Sequence, residues 1–156
     1  LPLLFKDFIV SEEQLDLASS LGADSVLLIA KVLRKDTMER FVDLAIVRGI
    51  EPLVELHDLD DVEKLVSCRN SGKVHVVGLN SRDLRTMGTD MSGLNALRAH
   101  LPHDKLVVAE SGVKNADDML SLKGFDAVLV GTSLMSSLDL PAKAEEFVKA
   151  GRSVTE

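Results

Sequence analysis

The sequence predicts a single α/β domain, residues 1–156, in which six β/α units are arranged as a barrel. Three observations carry this reading. Six short apolar runs recur along the chain: LPLLF (1–5), SVLLIA (25–30), EPLVELH (51–57), VHVVGLN (74–80), KLVVAE (105–110) and DAVLVG (126–131). Several are apolar at consecutive rather than alternating positions, as in parallel strands buried on both faces. Amphipathic stretches separate them, so strand starts recur every ~20–30 residues, the spacing of a βαβ array. Finally, polar residues stand at or just beyond the C-terminal end of almost every run: Lys6, Lys31, Glu55, Asn80, Glu110 with Ser111, and Gly131-Thr132-Ser133. An open sheet gathers reactive residues mainly at one switch point, whereas a barrel delivers every strand end to one mouth.

The helices between the runs have their own start and stop signals. Ser11 followed by Gln14 has capping-box spacing, and Gly22 closes that helix. Asp36 with Glu39 opens the next, with Phe41, Leu44, Ala45 and Val47 on its apolar side and Gly49 at its end. Asp58 opens a third, turning Val62, Leu65 and Val66 inward. Around Leu94 and Leu97, before Pro102, the pattern is weakest. Asn115 with Asp118 opens another helix, ended by Gly124, and Asp139 with Pro141 introduces the last, which carries Phe147 and Val148.

Composition narrows the function classes. Hydrophobic residues make up 46% and charged residues 28%, a globular balance. Lys+Arg is 18 against Asp+Glu 25, a net charge of -7, with no basic cluster and no Trp or Tyr to stack on bases. That argues against a nucleic-acid partner but not against a small anion held by local donors. No apolar run approaches the ~20 residues of a membrane span, and no signal-peptide pattern is present. The single cysteine, Cys68, lies in a helical stretch and reads as a packed small side chain. The expected setting is cytoplasmic. No G-x-G-x-x-G follows the first strand, which weakens a dinucleotide reading.

Each candidate residue has an ordinary alternative. A lysine amine at a low-dielectric mouth, such as Lys6, can serve as proton donor or Schiff-base nucleophile. It can equally reach solvent or pair with Asp7. Glu55 in LVELHD needs a cationic neighbour if it points inward, and Lys6 is the obvious one; the opposite register would make it a surface charge. His57 reads as a catalytic group or as a loop or cap residue. Asn80 and Arg82 suit recognition of hydroxyls and anions, with Asp83 tethering the arginine or forming a turn. Glu110-Ser111-Gly112 and Gly131-Thr132-Ser133 offer backbone N–H groups at strand ends, one unit apart, where barrels often hold phosphate.

Taken together, LPLLFKDFIV, ADSVLLIAKVL, EPLVELHD, VGLNSRDL, VVAESGV and AVLVGTSLM resemble indole-3-glycerol-phosphate synthase in order and spacing over nearly the whole chain. The resemblance implies a (β/α)8 TIM barrel of which strands 3–8 are present. It implies a carbon–carbon lyase of tryptophan biosynthesis, needing no cofactor and no metal. This enzyme closes the ring of 1-(2-carboxyphenylamino)-1-deoxyribulose 5-phosphate, with decarboxylation and dehydration, to give indole-3-glycerol phosphate. It places Lys6 as general acid and Glu55 as the carboxylate assisting proton transfer. Asn80 and Glu110 then contact substrate hydroxyls and the reacting centre. Ser111 and Gly112 with Gly131 and Thr132 form the phosphate cradle, Arg82 lies near the substrate, and Phe8 and Leu27 line the aromatic-ring pocket.

Barrels take ~250 residues and seldom fewer than ~200, and the family's first strand supplies a further lysine and glutamate. The expectation is therefore a partial barrel lacking its first two β/α units and a preceding segment, the alternative being a genuinely shortened six-unit protein. Such a chain should have little activity alone and should associate with the missing segment or with itself. The competing readings are another phosphate-binding barrel of tryptophan biosynthesis, such as phosphoribosylanthranilate isomerase or the tryptophan synthase α chain, and a non-catalytic assembly or folding unit. The isomerase uses a cysteine base, and Cys68 lies far from any strand end.

Overall fold

The computed structural model describes residues 1–155. Six strands, β1 (Leu4–Phe5), β2 (Ser25–Ile29), β3 (Glu51–Leu56), β4 (Val76–Asn80), β5 (Leu106–Glu110) and β6 (Ala127–Leu129), form one parallel sheet in chain order. Between and after them run α1 (Glu12–Ser20), α2 (Lys35–Val47), α3 (Leu59–Val66), α4 (Leu94–Arg98), α5 (Ala116–Leu120), α6 (Thr132–Met135) and α7 (Leu140–Thr155). Strand order never reverses, so there is no switch point of the doubly wound kind. Among the described residues no helix is long and apolar enough to cross a membrane.

The consecutive apolar positions divide between two faces. Val26 and Leu28, Val54 and Leu56, Val77 and Leu79, and Val107 and Ala109 are fully buried on the face that meets Leu15, Met38, Phe41, Val62, Leu65 and Leu94 of the helices. The alternate positions Leu27, Ile29 and Leu53 cluster on the other face with Leu4, Val76, Leu84 and Val108. That second face is concave. Lys6, just after β1, contacts Glu110 at the end of β5, with Nζ 3.4 Å from Oε2. In a flat sheet, four strand spacings would set these strands ~19 Å apart. Only a sheet curled into a barrel wall brings the two side chains together.

Most helix signals act as the sequence implies. Gln14 accepts from Ser11 N–H at 3.1 Å, Asp58 from Asp61 N–H at 3.0 Å, and Asp139 from Ala142 N–H at 3.0 Å. Asn115 and Asp118 cap each other reciprocally. Gly22 and Gly49 take left-handed φ just beyond α1 and α2.

Five expectations need correction. Val47 and Val66, assigned to the inward sides of α2 and α3, are exposed. Helix α2 starts at Lys35 with Arg34 as N-cap, so Asp36 lies inside the first turn, where it accepts from Thr37 N–H; a carboxylate there still complements the helix dipole. Helix α5 ends at Leu120, and Gly124 shapes the later turn into β6. Cys68 lies just past the end of α3, although it is buried as expected. The first strand is short: only Leu4 and Phe5 pair, while Leu1 and Leu3 are exposed. Pro2 lacks a backbone donor, and β1 has a neighbour on one side only.

Leu56 is fully buried between sheet and helices. Leu56→Ala should lower unfolding free energy by ~2–5 kcal/mol in urea titration, whereas truncation of exposed Val47 should leave the midpoint nearly unchanged.

Candidate active site

Strand β1 ends where Lys6 begins, and the side chain turns into the concave face. Its Nζ lies 3.4 Å from Glu110 Oε2 and 3.7 Å from Glu55 Oε2. Lys6 is 42% exposed, while the two carboxyls are only 2% and 1% exposed. The alternative pairing with Asp7 is not made; that carboxylate accepts from Phe8 N–H instead.

Register settles the direction of Glu55. In β3, Leu53 and Glu55 share the concave face, and Glu55 pairs in register with Gly78 of β4. Glycine at this position is a requirement of space: a Cβ on Gly78 would lie 2.0 Å from Glu110 Oε1. Without a side chain there, Glu110 folds across β4 toward Glu55. Burial pushes the Glu110 carboxyl up to about 8, the Glu55 charge adds to this, and Lys6 partly offsets it. Its Oε1 has no hydrogen-bond partner. The site therefore sets a lysine amine beside a carboxyl that keeps its proton well above the ordinary carboxylate range. Gly78 was passed over in the sequence, yet a glycine inside the strand VHVVGLN is a signal of close approach.

Lys6 and Glu110 open onto a cavity of about 400 Å³ that Asn80, Arg82, Ser111, Gly112, Gly131 and Thr132 also line. Asn80 Oδ1 accepts from Arg82 N–H at 2.9 Å, which leaves its amide N–H groups for the cavity. Ser111 and Gly112 both have left-handed φ, 66° and 86°. A Cβ on Gly112 would meet Met91 Cγ at 2.7 Å, so this turn requires glycine on two counts. Ser133 Oγ donates to Val113 carbonyl oxygen and ties the two turns together. Lys114 adds a cation to this wall. Asp83 forms the turn and does not tether Arg82: its Oδ1 accepts from Arg85 and Thr86 N–H.

Other candidates lie elsewhere. Glu55 sits beneath the cavity, reached through Lys6. Phe8 is 56% exposed and outside the cavity lining, and Leu27 is buried in the concave apolar cluster. Lys31 pairs with Asp58 at an adjoining hollow that also contains His57, Arg82 and Arg85. Among the described residues no cluster of His, Cys, Asp or Glu is arranged to hold a metal ion.

A curled parallel sheet in chain order, with its polar groups gathered where the strands end, is the wall of a β/α barrel. Solved structures agree on the architecture. 3-Hexulose-6-phosphate synthase from Salmonella typhimurium superposes with TM-score 0.80 at 16% identity, over 98% of this chain and 74% of that one. 3-Keto-L-gulonate-6-phosphate decarboxylase from Vibrio cholerae gives 0.72 at 14% identity, over 97% and 71%. Sequence is more specific. The family model for indole-3-glycerol phosphate synthase matches residues 1–147, and the chain belongs to that family. The indole-3-glycerol phosphate synthases of Acetivibrio thermocellus and Clostridium acetobutylicum are 38% and 39% identical over 149 and 153 residues, or 94% and 97% of this chain. The chain spans 56% of each of those relatives.

Two outcomes test the carboxyl cluster. The folded Glu110 carboxyl keeps a proton that the unfolded chain releases above its ordinary value of 4.5. Its contribution to stability is therefore full at low pH and is lost as pH rises through about 8. Chemical denaturation at pH 5 and pH 8 should show stability lower at pH 8 by roughly 3–4 kcal/mol, and Glu110→Gln should flatten that slope. Gly78→Ala should displace Glu110 toward solvent, which carboxyl-carbon NMR would record as a midpoint well below about 8.

Proposed function

We propose that the protein acts as an indole-3-glycerol-phosphate synthase, with the described residues supplying the general acid, its carboxylate partners and the phosphate end of the site. One observation carries this reading: a lysine amine stands between two buried carboxyls at the rim of a cavity whose other wall is two glycine-containing strand-end turns. The substrate is 1-(2-carboxyphenylamino)-1-deoxyribulose 5-phosphate. Its phosphate rests on the backbone N–H groups of Ser111, Gly112, Gly131 and Thr132, with Lys114 close by. Anchoring the chain at that end holds the reacting carbonyl near Lys6.

Ring closure joins an aromatic carbon to the carbonyl carbon, and Lys6 gives a proton to the oxygen as its negative charge develops. Glu55 balances the positive charge that forms on the substrate and assists the return of a proton to Lys6. Carbon dioxide then leaves, and expulsion of the hydroxyl as water needs a second donor. Family resemblance assigns that donor to a first-strand lysine beyond the matched residues. Glu110, neutral at physiological pH, contacts the reacting centre as a hydrogen-bond donor. Asn80 and Arg82 orient the hydroxyls and the carboxylate-bearing ring, while Phe8 and Leu27, outside the cavity lining, take no part in holding it.

A second role is supported by the sheet edges. Leu3 and Phe8 near β1, and Met135 and Leu138 beyond β6, are exposed apolar side chains beside strands with a single neighbour. They suit closure by the remaining barrel segment or by a second copy.

The test follows indole-3-glycerol phosphate fluorescence, with and without the family's N-terminal segment supplied in trans. Turnover is expected with the segment, and Lys6→Met should reduce it ~10²–10⁴-fold. A folded complex that forms no product would overturn the assignment.

A further inference from the structure

His57 is buried beside the site and has no assigned role. Its side chain is 8% exposed, and its Nε2 lies 3.2 Å from Glu55 Oε1. Nδ1 lies 3.8 Å from Asp61 Oδ2, a carboxylate 1% exposed on α3. Neither ring nitrogen has an aligned hydrogen-bond partner. The residue is fixed from behind, because its backbone N–H donates to Asp61 Oδ2 at 3.0 Å. A surface loop histidine would be solvated. This one is enclosed between two acids, where an unpaired imidazole is costly.

The two oxygens of Glu55 are divided between neighbours. Oε2 faces Lys6 Nζ, and Oε1 faces His57 Nε2. We propose that His57 is a positioning residue for Glu55: its Nε2–H holds Oε1 and keeps Oε2 turned toward Lys6. A small rotation of the ring converts the 3.2 Å approach into a hydrogen bond. A glutamate so held loses the freedom to swing its carboxylate away from the amine, which preserves the acid's partner through the cycle.

The surrounding charges are specific to this corner. Lys31 from the β2 end is engaged with Asp58, the N-cap of α3. Lys64 of α3 lies 3.7 Å from Asp61 Oδ1 and donates to Ala30 carbonyl oxygen. Asp60 borders the histidine on the outer side, and Arg82, Asp83 and Arg85 face it across the hollow. The bases are thus tied to other acids or stand across a gap, and Glu55 is the group nearest the Nε2 edge.

The role rests on Glu55 being the site's working carboxylate, but its test needs no turnover. Long-range ¹⁵N–¹H NMR on histidine-labelled protein should find Nε2 of His57 protonated. Glu55→Gln should move that resonance and leave those of His75, His100 and His103 in place. Carboxyl-carbon titration of Glu110, which Glu55 adjoins, should change in His57→Leu and return toward wild type in His57→Gln, whose amide can still donate to Glu55 Oε1. A proton on Nδ1 alone, or an unmoved resonance in Glu55→Gln, overturns the proposal, and so does a wild-type titration curve in folded His57→Leu. Should His57→Leu fail to fold, the resonance test decides. Absence of turnover even with the N-terminal segment supplied, together with the expected spectra, would count against the synthase reading and leave the His57–Glu55 contact standing.

Discussion

The contact between Lys6 and the buried pair Glu55 and Glu110 is the interaction on which the rest of the site depends. Two carboxyls at 2% and 1% exposure could not both be ionised without a cation. The structure answers in two ways, placing one lysine amine against both and raising the Glu110 carboxyl well above the ordinary carboxylate range. The same contact is geometric evidence. It joins the end of β1 to the end of β5, which requires the sheet to curl. Charge balance and barrel curvature are thus expressed by one cluster of atoms.

Gly78 links that cluster to the backbone. A methyl group there would displace Glu110, so the inner surface of β4 is left bare to let a neighbouring strand's carboxyl cross it. The architecture itself is widely shared, as the superposition on sugar-phosphate enzymes at 14–16% identity indicates. What separates families on this scaffold is the set of side chains at the strand ends, and here the Lys–Glu–Glu cluster stands next to the two strand-end turns.

Much of this was legible in the sequence because parallel strands announce themselves by consecutive apolar residues and their C-terminal ends by polar ones. Glu55 was ambiguous there: period-two alternation gives Glu51, Leu53 and Glu55 one face but does not say which way it points. Only pairing with Gly78 decides it. His57 was read as a loop or cap residue because nothing local shows that Asp61, one helical turn later, walls it in. Asp83 could tether Arg82 or form a turn, and the turn prevails because an aspartate's nearest donors are the backbone N–H groups of its own turn. The length of the first strand was overestimated because an apolar run does not report whether a partner strand lies on both sides.

The chain-order sheet has one more consequence. Each strand pairs only with its predecessor and its successor, so the wall can be laid down by contacts between units adjacent in the chain. Lys6 is the exception, reaching past β2 to Glu55 and on to Glu110, 104 positions away. The entropy of closing that loop falls on the rim contact and spares the wall. Assembly of the wall and completion of the cluster are therefore separable events, and the cluster can open or close by small movements at the rim while the scaffold beneath stays folded.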